Sequence, residues 1–385
     1  MKNNYSKMNF GLLIIMIIFS IFGLIMIFSA SSIAAVLRYQ VSSNHFVIRQ
    51  LVSTIGGFIL GFIIMAIPTK QYRFFSKILI YGMACLLAFL FIGGVAGGGA
   101  QSWFDLGAVN FQPSEFGKLF IIIYLAVSYN KMSGKKKINA WQLLKPLIPV
   151  VLIFFLVAAQ PDLGGAAIIG IITFMIYTSI PYATKQKRKL TLIGLGAIAV
   201  GAIVVLLFQP KLLQSYQMRR ILDFQRPCER YSEETGYQVC NGYIAIKNGG
   251  IFGVGLGKST QKYLYLPEAH TDFIFPIICE ELGIIVAVVI LILYFIMLYI
   301  ILGIAKETDN IRNSILAYGV FAYLLSHILI NLLGVLGLIP LTGVPLPFLS
   351  YGGTYNLCIL IALFIVERVS IENKLDKQRR KIENL

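Results

Sequence analysis

The run Ile274-Phe-Pro-Ile-Ile-Cys-Glu-Glu-Leu-Gly-Ile-Ile-Val-Ala-Val-Val-Ile-Leu-Ile-Leu-Tyr-Phe-Ile-Met-Leu-Tyr-Ile-Ile-Leu-Gly303 decides the fold. It carries no charge between Glu281 and Lys306. A hydrocarbon core of about 30 Å is crossed by a helix of about 20 such residues. In lipid the backbone must satisfy its own polar groups, so the run is a helix. Comparable runs recur at roughly 10–33, 48–68, 78–98, 113–129, 139–160, 163–182, 190–208, 312–336 and 350–369. The whole chain is 57% hydrophobic and 13% charged, with mean hydropathy +0.79, where a soluble domain would carry about 25% charged residues. The expectation is an all-α polytopic membrane protein of about ten spans in a single domain, residues 1–385. Pro161-Asp-Leu-Gly-Gly165 interrupts an apolar stretch, which leaves a re-entrant pair open for the fifth and sixth spans. The first run is too long for a cleavable signal peptide and lacks a small-residue cleavage pattern, so it reads as a retained span.

Lysine and arginine orient the array. Alternate connections carry Lys70, Arg73 and Lys77, then Lys131 to Lys145, then Lys185 to Lys189, then Lys306 and Arg312, and finally a basic tail over 370–385. The opposite short loops hold only Arg38 and Arg49. Positive loops remain cytoplasmic, which puts both termini inside and the long 209–273 connection outside. The net charge of +16 is thus a topology signal and an attraction to anionic headgroups. No basic face with interleaved aromatics points to nucleic acid. Cys228 and Cys240 share the outer loop, where a disulfide is possible in an oxidising compartment. No zinc-like spacing appears.

The polar groups cluster outside. Immediately before the run above lies Tyr265-Leu-Pro-Glu-Ala-His-Thr-Asp-Phe273, and Glu268, His270 and Asp272 are groups that move protons or bind metal. Asp272 reads equally as the helix N-cap, with Thr271 as a rival. A partly desolvated carboxylate has raised proton affinity and suits general-base work. Two carboxylates and an imidazole are also a set that holds a divalent cation, without specifying which. In Gln112-Pro-Ser-Glu-Phe-Gly-Lys118, Pro113 and Glu115 suit a helix start, and Glu115 and Lys118 share a face. Lys118 then lies inside the membrane and needs a partner, Glu115 or Asp162. The pair is either structural or substrate-lining. Asp162 reads as a helix cap, and Trp103 as an interfacial anchor or a substrate contact. Gly249 to Ser259 departs from the phosphate-loop pattern because Phe252 occupies a glycine position; its glycines suit tight turns and close packing. Pro340 to Thr354 reads as non-helical backbone at membrane depth, either a rigid turn or a groove wall with Ser350 and Thr354 as donors.

Taken together, Gln112–Lys118, Gln160-Pro-Asp-Leu-Gly164, Asn248–Gly257, Leu266–Phe275 and Pro340–Gly353 resemble the SEDS family of membrane peptidoglycan glycosyltransferases, with its FtsW, RodA and SpoVE branches. Gly255-Leu-Gly-Lys-Ser259, Lys262 and Tyr265–His270 look most like the FtsW branch. Thr354-Tyr355 and Gln101-Ser-Trp103 depart from the family pattern. The resemblance implies polymerisation of lipid II into glycan strands outside the cell membrane during division, with undecaprenyl diphosphate leaving and inversion at the anomeric carbon. It makes Asp272 the general base or part of the machinery orienting the acceptor. It also implies a divalent cation, magnesium or manganese, and no organic cofactor. The implied partners are a class B penicillin-binding transpeptidase and other division proteins, at the septum. Arg219 and Arg220 are candidates for diphosphate contacts. Alternatives are a lipid II flippase, an elongation polymerase of the RodA type, and a non-catalytic scaffold. A flippase needs polar groups through both leaflets, and the cytoplasmic halves of the spans read as apolar.

Overall fold

A computed structural model describes residues 7–97, 100–105, 110–135, 137–194, 196, 227–231 and 234–383. Its helices are α1 (Phe10–Leu37), α2 (His45–Ala66), α3 (Tyr72–Gly93), α4 (Pro113–Asn130), α5 (Ala140–Leu144), α6 (Ile148–Ala159), α7 (Leu163–Ser179), α8 (Glu234–Gly249), α9 (Ile274–Lys306), α10 (Ile311–Val335) and α11 (Gly353–Glu383). Of the expected seventh span, 190–208, residues 190–194 and 196 are described and helical, and the rest lies outside the described residues. Every other expected span coincides with a helix, α5 and α6 sharing one through a 3-10 turn at Lys145–Leu147. Among the described residues seven helical segments are long and apolar enough to cross a membrane, and α7 is a shorter apolar helix. The expected fifth and sixth spans are two helices, α6 and α7, packed on each other and broken at 160–162.

Local chemistry sets several ends. Asn9 accepts from the amide of Leu12 at 3.2 Å to start α1, and Asn310 accepts from that of Arg312 at 3.1 Å to start α10, the standard way to satisfy orphan helix donors. Pro113 occupies the first turn of α4, where its missing N–H costs nothing.

α11 and α10 form the centre. In their most apolar windows, 94% of α11 and 72% of α10 is buried, against 22% for α2. α11 packs along α2, and Gly57 permits the approach: a Cβ there would stand 2.5 Å from Leu360 Cδ1. Small residues replace the hydrophobic drive that lipid cannot supply. The two chain ends meet at one side, where Lys374 donates to the Met8 carbonyl at 2.9 Å and Lys377 pairs with Glu307 at 3.2 Å. This is the arrangement the charge asymmetry requires.

Three features depart from the sequence reading. The outer loop after α3 contains a small antiparallel sheet, β1 (Val95–Gly97), β2 (Ala100–Asp105) and β3 (Asn110–Phe111), ordered β1-β2-β3. The basic tail is not a separate extension but the last turns of α11. The cytoplasmic halves of the spans are not wholly apolar either: Glu367 is buried within the last expected span and accepts from the Asn9 amide at 2.8 Å, and just beyond it Glu372 accepts from the Thr69 amide, Asn313 and Arg368, each at 2.9 Å. Those donors fasten the α2–α3 connection to α10 and α11.

In the outer loop Cys228 and Cys240 form a disulfide that ties the 227–231 turn to α8. The glycine-rich segment lies backbone to backbone against a kink in α9. Gly283 has φ +79° there, and a Cβ on it would sit 2.3 Å from the Ile251 carbonyl oxygen. Only glycine fits such a position. The amides of Val254 and Gly255 donate to the carbonyls of Glu280 and Glu281, both at 2.9 Å. The glycines thus serve tight turns and close packing, as the sequence suggested, with the α9 backbone as the surface packed against.

Candidate active site

The turn before α9 is held from several directions. α9 begins after Phe273, and no side chain caps it. Neither Asp272 nor Thr271 is therefore the cap that the sequence allowed. Thr271 Oγ1 instead donates to Glu268 Oε2 at 2.8 Å and contacts Asp272 Oδ1 at 3.1 Å. Asp272 is buried, and its carboxylate faces the backbone of Gly343, where an added Cβ would stand 3.8 Å from Oδ2. Glu268 is half-exposed and pairs with Arg38 at 3.7 Å, while Arg38 also donates to the Pro267 carbonyl at 2.9 Å.

His270 does not join the two carboxylates as a ligand. Its side chain is buried among Phe46, Tyr351 and Tyr39, at ring-centre distances of 4.6, 5.7 and 6.3 Å. Among the described residues no three histidine, cysteine or acidic side chains are grouped to hold a metal. The Glu268–His270–Asp272 triplet is corrected accordingly: two-residue spacing would put all three on one side of an extended chain, but 261–273 is a succession of turns, and the imidazole goes into an aromatic pocket while the two carboxylates meet at Thr271. Two carboxylates around one hydroxyl still fit a magnesium-type ion, which takes one or two carboxylates and fills its shell with phosphate and water.

Burial, helped by the Arg38 charge, pushes the His270 imidazole down from 6.5 to about 4. The unfolded chain then binds more protons between those values, so this stability is complete above about pH 6.5 and is lost as pH falls toward 4. The shift corresponds to about 3–4 kcal/mol at most, using about 1.4 kcal/mol per unit. Thermal unfolding between pH 7 and 4.5 is expected to show that loss, and His270→Phe to show much less. Equal acid sensitivity in the two proteins would refute the assignment.

A second cluster lies inside the helix bundle. Lys118 bonds Glu115 at 2.7 Å and stands 3.2 Å from His327 Nε2, and Tyr323 donates to Glu115 at 3.2 Å. An ammonium can only donate, so Nε2 is the acceptor and the proton sits on Nδ1, 3.3 Å from the Pro345 carbonyl. Glu115 is thus the partner of Lys118. Asp162 instead caps α7, accepting from the Gly165 amide at 2.7 Å, as its local sequence suggested. Next to it, Gly164 packs on Thr342 and Val344.

The loop 340–352 is the wall common to both clusters. Prolines 340, 345 and 347 and its irregular path leave carbonyls without regular partners. Asn331 donates to Val344 O at 2.8 Å, and Tyr355 to Pro345 O at 3.0 Å. The Tyr351 amide donates to His270 O at 2.8 Å. Ser350 and Thr354 are corrected: Ser350 Oγ accepts the Leu346 amide and Thr354 donates to Asn110 O, both at 2.8 Å and both buried. Ser350 braces the loop, and Thr354 ties the start of α11 to β3. Trp103, in β2, is half-buried. Arg219 and Arg220 lie outside the described residues.

The sequence reading missed His327, Asn331, Glu280 and Glu281. Glu281 accepts from Ser29 and Lys262, and Glu280 from Thr260 and Asn248, which staples the 248–262 loop to α9. A polar residue inside an apolar span is the signal that would have found all four.

The Cell cycle protein family, which groups FtsW, RodA and SpoVE, matches residues 10–375. The chain is 39% identical over 392 residues to the probable peptidoglycan glycosyltransferase FtsW of Bacillus subtilis (strain 168), covering 100% of this chain and 96% of that protein. It is 36% identical to the stage V sporulation protein E of the same organism, over 93% of this chain and 96% of that one. Among solved structures, a chain from a peptidoglycan synthase complex that coordinates polymerization and crosslinking superposes with TM-score 0.75 at 24% identity, covering 95% of this chain and 98% of that one. The Thermus thermophilus rod shape determining protein RodA superposes at 0.67, with 24% identity and coverages of 94% and 96%. Those two likenesses establish the multi-pass helical fold. Full-length identity to the curated relatives and the family match over residues 10–375 go further: the chain belongs to the FtsW/RodA/SpoVE family of cell cycle proteins.

Proposed function

We propose that this protein polymerises lipid II into glycan strands at the outer face of the cell membrane, during division, in partnership with a class B penicillin-binding transpeptidase and other division proteins. The observation that carries the reading is Asp272: a buried carboxylate beside Gly343 that the helix behind it does not use as a cap. The similarity to curated FtsW glycosyltransferases supports the reaction class. In this reading residues 1–385 are one membrane domain, with 209–273 outside and the 370–385 tail inside.

The acceptor 4-hydroxyl attacks the anomeric carbon of the donor sugar. Its proton passes to the Asp272 carboxylate as the new C–O bond forms. The bond from the anomeric carbon to the diphosphate breaks with inversion, and undecaprenyl diphosphate leaves. Proton transfer of this kind contributes about 10²–10⁴-fold. Thr271 orients Asp272 and Glu268 through one hydroxyl, and the buried neutral His270 holds the turn against the aromatic cluster. A divalent cation, magnesium or manganese, would be held by Asp272 and Glu268 and would neutralise charge developing on the diphosphate. Lys118 and Glu115 act by shaping the 340–352 wall, and Asp162 by fixing the start of α7 beneath it.

The test is the full chain, purified with its transpeptidase partner and given lipid II and magnesium. Glycan strands on a gel are the expected product. Movement of lipid II between leaflets without polymer would replace the reading with a flippase, and neither activity would leave a scaffold.

A further inference from the structure

Asn331 sits on the outer half of α10 with 3% of its surface exposed. Its Nδ2 donates at 2.8 Å to the main-chain oxygen of Asp272 and at 2.8 Å to that of Val344. Both neighbours are carbonyls, which only accept, so the amide orientation is fixed by chemistry. Its Oδ1 then points the other way, buried and without a hydrogen-bond partner among the described residues. Leaving a buried acceptor unpaired is unfavourable, so stability alone does not account for an asparagine here. What the residue does hold is geometry. One amide joins the turn that carries Asp272 to the residue following Gly343, the backbone that the Asp272 carboxylate faces.

The wall contains Pro340, Pro345 and Pro347, and among the described residues a main-chain bond joins it to the turn from the Tyr351 amide to the His270 carbonyl. His327, one helical turn before Asn331, reaches the adjacent Pro345 carbonyl. α10 therefore offers two successive side chains to the wall, and of these two Asn331 is the one bonded to Asp272.

We infer that Asn331 is a positioning residue for the polymerisation proposed above: it sets the distance and angle between the Asp272 carboxylate and the 342–344 wall, and so aims the general base at the acceptor hydroxyl. The inference rests on that reading of Asp272. Misplacing a reacting group by about 1 Å costs on the order of 10²-fold in rate. Substrate binding elsewhere on the protein is unaffected.

The experiment compares wild type, Asp272→Asn, Asn331→Leu and Asn331→Asp, each as the full chain with its transpeptidase partner, using lipid II polymerisation at varied substrate. Asn331→Leu is expected to lower kcat by about 10²-fold with KM changed by less than about 3-fold. Asn331→Asp faces two carbonyls, which only accept, so as the protonated acid it keeps one of the two donated bonds. Its kcat is expected to lie between those of Asn331→Leu and wild type, with KM again changed by less than about 3-fold, a partial rescue that simple loosening of the fold does not give. A folded Asn331→Leu with wild-type kcat, or an Asn331→Asp no faster than Asn331→Leu, overturns the assignment. Failure of both variants to fold also overturns it, because the residue is then structural only. A wild-type protein that does not polymerise lipid II removes the functional reading instead, and Asp272→Asn separates the two cases by reporting whether Asp272 matters at all.

Discussion

Asp272→Asn is expected to reduce lipid II polymerisation by about 10²–10⁴-fold, the range for loss of a general base, while leaving the thermal unfolding temperature close to that of wild type. The substitution keeps the side-chain shape and an oxygen for the Thr271 hydroxyl, now 3.1 Å from Oδ1. It removes only the capacity to take a proton and the negative charge. The stability half of the prediction follows from the helix start. Asparagine caps a helix about as well as aspartate, and α9 is in any case capped by no side chain, so no capping contribution is lost. Asp272→Glu keeps the base and moves it by a methylene into a site closed by Gly343, and its rate is expected to fall by about 10²-fold. Product formation from purified complexes, alongside unfolding curves of the same preparations, decides the matter. Wild-type yields from Asp272→Asn would end the mechanism, and a large drop in unfolding temperature would return Asp272 to a structural role.

The membrane fold was legible because its signal is local. An apolar run such as Phe10–Ile33 or Ile274–Gly303 must be helical in lipid whatever it packs against, and Asp162 declared itself a cap by the three residues after it. Asp272 was legible as a candidate for the opposite reason: a polar knot beside an apolar run has to be explained. What local sequence could not supply was the direction in which each side chain leaves the turn. His270 lies between two carboxylates in sequence, yet its environment is Tyr39 and Phe46, more than two hundred residues away in the chain. The metal triplet failed at that point. Ser350 and Thr354 looked available for substrate because serine and threonine donate readily; the irregular loop around them had prior need of those groups. Glu280 and Glu281 went unassigned because their partners, from Ser29 to Lys262, are gathered from separate segments. Residue types fixed what chemistry was present, and tertiary contacts fixed which of it is already engaged by the fold.

The largest effect on stability is expected at the intramembrane ion pair. Lys118→Met leaves Glu115 in the helix core with Tyr323 as a donor at 3.2 Å and no opposing charge from α4. Removing one member of a buried pair typically costs about 3–5 kcal/mol, because the other charge is stranded. Both side chains are almost wholly buried, 1% exposed for Lys118 and 4% for Glu115, so water offers little relief. The loss extends past the pair, since Lys118 also donates to His327, which in turn holds the Pro345 carbonyl. Replacing both charges, with Glu115→Leu and Lys118→Met together, is expected to recover most of the loss, as apolar replacements of whole buried pairs do. The double-mutant cycle should give a coupling of at least about 1 kcal/mol, within the range for contacting residues. Denaturant unfolding of the four proteins in mixed micelles measures it, and simple additivity would contradict the pairing. The same four proteins separate the two roles that the sequence left open. A structural pair predicts that polymerisation recovers in the double variant along with stability. A lysine that contacts the diphosphate predicts a stable double variant without activity. The burial of Lys118 and its bonds to Glu115 and His327 favour the first outcome: the charge is engaged inside the bundle, and among the described residues its link toward the wall that Asp272 faces runs through His327.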